Sequence, residues 1–326
     1  MPELPHVKPL TNMSDEEREI PKSIKTPREI LKQGLQLVHF SEGRIDRAGI
    51  QSNITRFKKH YGCNPSVAAR IFEDLQVTDN REARLGRNKI SCFYFLQSLN
   101  FLYVYDIEER REPIFDRSPK TLRKWVWHYV KKVAALKHLK IVWPDEFPHD
   151  DEWVISIDCT DCPIEEVTTH PTLSQDSDLF SFKINGAGYR YEFGIDLFYS
   201  NVLWVNGPFL PGVYNDNQIF ELKGLKAKLA SCGKMGLADK IYNGHPDECS
   251  TFNAVDSATV RTFKARTQMR HEQFNGMVKE FGCTKKPFRH KPNKMEKHKW
   301  CFEAVTVICQ YRLEHGEPLF DLLAGL

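Results

Sequence analysis

"EWVISIDC" (152–159) marks the point where the chain changes character. Trp153, Val154, Ile155 and Ile157 make it β-rich, and the run ends at Asp158, a carboxylate where a strand stops. Ahead of it, from Pro27 to about Leu139, apolar residues recur at helical spacing. After it come short β-rich runs. "FSFKINGAGYRYEFGIDLFY" (180–199) reads as two strands around the "NGAG" turn, and "VLWVNGPF" (202–209) as a third. "NDNQIFELKGLKAKLASCG" (215–233) reads as one helix, capped by Asn215 or Asp216 and ended by Gly233. "KMGLADKIYNG" (234–244) reads as a buried strand with Asp239 at its end; a helix over 258–281 and a last helix, "KWCFEAVTVICQYRLEHG" (299–316), follow. Strands gathered first, then alternating with helices, predict a mixed α/β sheet flanked by helices.

The preceding region is all-α. "TPREILKQGLQLVHF" (26–40) opens with a capping Thr26 and Pro27 at the first helical position. "NPSVAARIFEDL" (64–75) starts on Asn64-Pro65, and "NKISCFYFLQSLNFLYVY" (88–105) is apolar nearly all round, as for a helix buried in a bundle. Residues 106–139 form a candidate helix-turn-helix. Its second helix starts at Ser118-Pro119 and puts Leu122, Trp125, Val126, Tyr129, Val130 and Val133 on one stripe, with Arg123, Lys124, Lys131 and Lys132 away from it. That helix suits a major groove, although a packing helix with a solvated basic face has the same pattern, and Pro113 interrupts the candidate first helix. The expected organisation is a segment without fixed fold over 1–27, a helical domain over 28–145 and an α/β domain over 146–326.

A chain of 326 residues holds one large domain or two modest ones, and 41% hydrophobic with 27% charged residues supports a sizeable core. No run of about eighteen apolar residues exists, which argues against a membrane span. The first 27 residues have no apolar run of the signal-peptide kind, so the nine cysteines are expected to be reduced thiols of the cytosol or nucleus. The net charge of +3 is unevenly spread. Residues 117–140 carry eight Lys and Arg and no acid; 261–300 carry twelve against three acids; 141–260 hold nineteen acids against seven Lys and Arg. An acidic middle between basic flanks suits a polyanion approaching a carboxylate cluster, and a patchily charged solvated surface gives the same counts.

Three acids stand out by position: Asp158 and Asp239 at strand ends, and Glu272 in the 258–281 helix. Strand ends at the rim of an α/β sheet are where such folds place ligands, and a helix bringing a third acid would complete an oxygen cage for Mg²⁺ or Mn²⁺. On that helix Val260, Phe263, Phe274, Met277, Val278 and Phe281 form the core stripe. Glu272 points off it, which fits a cleft-facing ligand and an idle surface acid equally well.

"ISIDCTDCPI" (155–164), "GPFLPGVYNDNQIF" (207–220), "LADKIYNG" (237–244) and "RTQMRHEQFNGMVKEFGC" (266–283) closely resemble, in order and at fitting spacing, blocks of PIF/Harbinger-type DDE transposases, the DDE superfamily endonucleases. The resemblance covers about residues 150–320, with a looser match over 90–140. It implies an RNase H-like fold with catalytic Asp158, Asp239 and Glu272, and adds Asp216 to the metal-site residues, a role that competes with helix capping. Two divalent ions, Mg²⁺ or Mn²⁺, about 3.5–4 Å apart would activate a water or 3′-hydroxyl and stabilise the leaving oxygen. Arg266, Arg270 and Lys279 would hold the phosphate backbone near the site. Lys285, Lys286 and Arg289, in the basic stretch "KKPFRHKPNKMEKHK" (285–299), would contact DNA or serve nuclear import, unless this is a solvated loop. Implied partners are double-stranded DNA (terminal inverted repeats and target), a separate Myb/SANT-like protein, and further copies of the chain to pair two ends, all in the nucleus.

The chain departs from the family where many relatives have an Asp-Gly-Thr-type sequence after the first acid. Here that place is taken by Cys159-Thr160-Asp161-Cys162. Asp161 reads as a turn residue, with an outer-shell acceptor as the alternative. The Cys159/Cys162 pair has no second pair at finger spacing, which argues against zinc, and strand alternation predicts one thiol buried and one exposed. His271-Glu272 begins like HExxH but meets Asn275 where the second His belongs. Three readings stand: an active transposase, a domesticated derivative that binds DNA or protein without transposing, and an inactive relic.

Overall fold

The computed structural model describes residues 25–83, 91–147, 151–165, 177–290 and 294–323; the expectation for residues 1–24 lies outside them. Among the described residues eight helices lead: α1 (Pro27–Leu37), α2 (Glu42–Arg47), α3 (Ile50–Tyr61), α4 (Pro65–Ala83), α5 (Cys92–Val104), α6 (Glu108–Phe115), α7 (Pro119–Ala135) and α8 (Lys137–Lys140). Local chemistry sets their ends. Thr26 and Glu29 form a reciprocal capping box on α1, and Ser118 caps α7 ahead of Pro119. Pro113 sits in the last turn of α6 without dividing it, and Asp116, left-handed at φ 47°, turns the chain into α7. The predicted apolar stripe of α7 is its buried face, with Trp125 half-buried. It packs against α5 and the last helix.

The sheet comprises β1 (Trp153–Pro163), β2 (Phe180–Ser181), β3 (Gly186–Asp196), β4 (Val202–Phe209), β5 (Met235–Leu237) and β6 (Cys249–Ser250). Between β4 and β5 lie α9 (Asp216–Leu222) and α10 (Leu225–Cys232); α11 (Ala258–Lys279), α12 (Gly282–Lys285) and α13 (Lys294–Glu314) complete the chain. The order is β4-β3-β1-β5-β6, with β2 pairing the start of β3. β3 is antiparallel to β1 and β4, whereas β5 is parallel to β1 and β6 parallel to β5. The sheet is therefore mixed, as the sequence predicted, and among the described residues no helix is long and apolar enough to cross a membrane.

Three local expectations are corrected. β1 does not stop at Asp158 but pairs with β3 through Pro163, and Asp161 is a strand residue, opposite Arg190. The helix expected over 215–233 is two helices, because Gly224 adopts φ 109° between them. The cap of α9 is Asn215, one of the two residues expected there, exchanging hydrogen bonds with Gln218, and Asp216 is the first helical residue.

β1 is central and covered on both faces, α11 and α13 packing on one and α9 and α10 on the other. Cys159 and Cys162 point to opposite faces, and both are buried, contrary to the one-buried, one-exposed expectation. All nine cysteines are free. One hydrophobic core runs from α1 through α5 and α7 to β3, α11 and α13, so the helical region and the sheet share their packing. At its centre Phe302 of α13 stacks on Tyr191 with ring centroids 3.5 Å apart, and Phe193 meets Phe274 edge-on at 5.1 Å. Phe302→Ala removes the ring that joins α13 to the sheet; it is expected to lower stability by about 3–5 kcal/mol, measured by urea unfolding.

Candidate active site

Asp158 lies two residues beyond the last β1–β5 parallel pair, Ser156 with Leu237. Asp239 follows the end of β5 by two residues and caps the 3₁₀ turn Lys240–Tyr242, its Oδ1 accepting from the Ile241 N–H at 2.9 Å. Both carboxylates line one recess, with Ser156, Lys264, Gln268 and His271 also in its wall. The cavity is about 30 Å³, room for about two waters. The Asp158 side chain keeps 27% of its surface and accepts from the Cys159 N–H at 2.7 Å. Burial nevertheless pushes its carboxyl up to about 6, against the pull of Lys183 and the Cys159 N–H, with Asp216 and Asp239 adding to the rise.

Behind Asp158 runs a chain of charges, buried at Asp161, Arg190 and Asp216 and reaching the surface at Lys183. Arg190 holds Asp161 bidentately, Nε to Oδ1 and Nη2 to Oδ2 both at 2.7 Å, across the β1–β3 ladder. Its Nη1 donates to the Tyr214 carbonyl and stands 2.8 Å from Asp216 Oδ1 without hydrogen-bond alignment. Lys183, in the turn between β2 and β3, donates to Asp216 Oδ2 and to the Cys159 carbonyl, both at 2.8 Å, and lies 3.8 Å from Asp158 Oδ1. Burial alone would lower Lys183, but Asp158 and Asp216 outweigh it and raise it, so the ammonium stays charged. Asp161 therefore serves Arg190 rather than a turn. Neither Lys183 nor Arg190 was legible as a site residue, because their partners are set by strand register.

The four acids named from the sequence are not brought together. Asp216 is buried between Lys183 and Arg190, and Glu272 is exposed on α11, whose Thr267, Gln268 and His271 line the recess in its place. Among the described residues no three His, Cys, Asp or Glu side chains stand together to hold a metal ion. The donor chemistry of Asp158 and Asp239 nevertheless fits one Mg²⁺ or Mn²⁺, since Mg²⁺ is commonly held by one or two carboxylates with water and substrate phosphate. His271 is buried; its Nδ1 meets Ser156 Oγ at 3.0 Å, and burial brings it down to about 4, so it is neutral near pH 7.

Two candidate DNA contacts face inward. Arg270 donates to the carbonyls of Asp196, Tyr199 and Phe320, fastening the C-terminal tail to the β3–β4 connection. Lys279 reaches the Asp161 and Thr284 carbonyls and Cys162 Sγ. Both sit on the packed side of α11 with their donors taken up by backbone carbonyls. Arg266 donates to the Asp321 carbonyl, and Lys286 and Arg289 to the carbonyls of Val104 and Tyr105. Arg123 is exposed but bidentate to Glu108, linking α6 and α7; Lys285 is exposed, and Lys124 lies over the Trp125 ring. Tyr94, Lys124, Trp125, Trp127, His128 and Lys131 line a surface cleft of about 630 Å³, in which Tyr94 and Trp125 stack at 4.6 Å.

No protein-family model matches the chain, and neither the curated proteins nor the solved structures yield a match.

Arg190→Met leaves Asp161 and Asp216 buried with a partner lost and is expected to cost about 3–5 kcal/mol by urea unfolding, with Arg190→Lys recovering only part because it lacks the bidentate fork. Asp158 binds its proton more tightly folded than unfolded. Metal-free stability should therefore fall as pH rises from the ordinary carboxyl value of 3.8 to about 6. Asp158→Asn should remove that slope and be about 1–2 kcal/mol the more stable above it, measured by chemical unfolding across pH.

Proposed function

We propose that the chain is a metal-dependent DNA endonuclease of the DDE transposase type, cutting phosphodiester bonds at element ends and joining 3′ ends to target DNA. The observation that carries this reading is the pairing of Asp158 on the central strand with Asp239 beyond the neighbouring parallel strand, both open to one recess. Further support comes from the strand order and directions, which are those expected of an RNase H-like sheet, and from the four sequence blocks. Asp158 and Asp239 would hold the ion, which when bound supplies Lewis-acid stabilisation of the phosphodiester and a more acidic water. The chain's own part is to orient Asp158 through the Cys159 N–H and Lys183, and to keep Asp239 fixed as the cap of its turn. DNA would meet the recess at its mouth, since the cavity is too small for a nucleotide. The aromatic and lysine-lined cleft between α5 and α7 offers a second nucleic-acid contact, stacking rings beside cations being suited to bases and phosphates.

One observation favours a second reading, DNA binding without cleavage: Glu272 stands outside the recess. Labelled DNA bearing the element's own ends decides between them. Nicking in Mg²⁺ or Mn²⁺ that stops with EDTA and falls to background in Asp158→Asn and Asp239→Asn is the expected result. Equal cleavage by these variants would overturn the proposal. Glu272→Ala adds a separate answer: loss of cutting means the helix acid joins the site when DNA binds, and binding without cutting by every form supports the second reading.

A further inference from the structure

We propose that the Lys183 ammonium is a built-in cation of this site, holding the position between Asp158 and Asp216 where a second divalent ion would otherwise sit, so that the site takes one metal ion and not two. The inference rests on the nuclease reading and narrows it. Lys183 Nζ is surrounded by oxygen: Asp216 Oδ2 and the Cys159 carbonyl at 2.8 Å, and Asp158 Oδ1 at 3.8 Å. Two carboxylates and a carbonyl are the donors a hard cation takes; the ammonium hydrogen-bonds the Asp216 carboxylate and the Cys159 carbonyl and stands 3.8 Å from Asp158 as a charge partner without a metal. An ion bridging Asp158 and Asp216 needs oxygens at about 2.0–2.1 Å and would collide with that ammonium in space and in charge.

Asp216 supplies an independent observation. Its side chain is 3% exposed, and its Oδ1 makes no hydrogen bond although Arg190 Nη1 is 2.8 Å away. It is a buried carboxylate with a directed donor, Lys183, on Oδ2 and only an unaligned cation, Arg190, beside Oδ1. With Arg190 on one oxygen and Lys183 on the other, Asp216 keeps no face toward the recess that Asp158 shares with Asp239. The carboxylate that sequence resemblance would give to a metal instead anchors the lysine, and the lysine places its charge 3.8 Å from Asp158.

The test is a count of bound Mn²⁺ by electron paramagnetic resonance on the full, metal-stripped chain without DNA, with folding checked by circular dichroism. One ion per chain is expected for the parent and for Lys183→Arg, and two for Lys183→Met, the second lost again when Asp216→Asn is added. Lys183→Gln takes the place of Lys183→Met should the latter not fold. Two ions on the parent chain, a count of one that Lys183→Met leaves unchanged, or no ion on any form would each overturn the inference. Counts of one and two in a chain that never cuts DNA would overturn the nuclease reading and leave the lysine's role standing. Cleavage by a parent chain holding two ions would overturn only the lysine's role.

Discussion

The cross-strand pair of Asp161 and Arg190 is the constraint on which the sheet and the site both depend. Each ion taken out of water costs several kcal/mol, and the cost is met only where geometry is good and the remaining donors and acceptors are used. Asp161, with no exposed side-chain surface, accepts two parallel bonds from Arg190, the arrangement in which guanidinium and carboxylate match best. Slipping β1 by one residue would turn Asp161 toward the face where Tyr191 and Phe193 pack on Phe302 and Phe274. The pair therefore fixes register, and register places Asp158 opposite Phe193, on the α11 side of the sheet.

The same pair seats what lies beside it. Arg190 reaches on to Asp216 at the first turn of α9, Asp216 holds Lys183, and Lys183 touches the Cys159 carbonyl. A strand pair, a helix start and a hairpin turn are thus tied by one line of charge, and Asp158 is its end. The two thiols follow from the same architecture. Cys159 and Cys162 are three residues apart on a strand covered on both sides, so alternation sends them to different cores rather than one to solvent.

Where apolar pattern or a cap decides an element, the sequence was readable: α1 from Thr26-Pro27, α7 from Ser118-Pro119, β4 from its β-rich run. The reading failed where long-range partners decide. Asp158, Thr160 and Asp161 look like the polar end of a strand until Arg190 is known to lie opposite, and Asp216 looks like a cap or a ligand until Lys183 and Arg190 are found around it. Gly224 in "LKGLK" was a break signal overlooked within a helical run. Arg270 was misjudged on charge, although its spacing to Phe274 and Met277 already places it on the packed side of α11. Glu272 was undecidable from spacing alone, because an acid off the core stripe faces cleft or solvent with equal ease.

Charge matching along this line explains why the recess is acidic. Asp161 and Asp216 are balanced by Arg190 and Lys183. Lys264 lines the recess, but its ammonium is held by the Thr251 carbonyl and Asp256, and His271 is neutral. Asp158 and Asp239 therefore face the recess as two acids with one ammonium at the distance of a loose contact. Asp158 is already pushed toward protonation by its burial. A phosphodiester could not approach such a pair unaided, since its own charge would add to theirs. It needs either a proton on Asp158 or a divalent cation between acids and phosphate, and only the cation both draws a phosphate in and polarises it. Under the nuclease reading, the charge network supplies the cations that structure needs and leaves one acid pair to recruit a cation from outside.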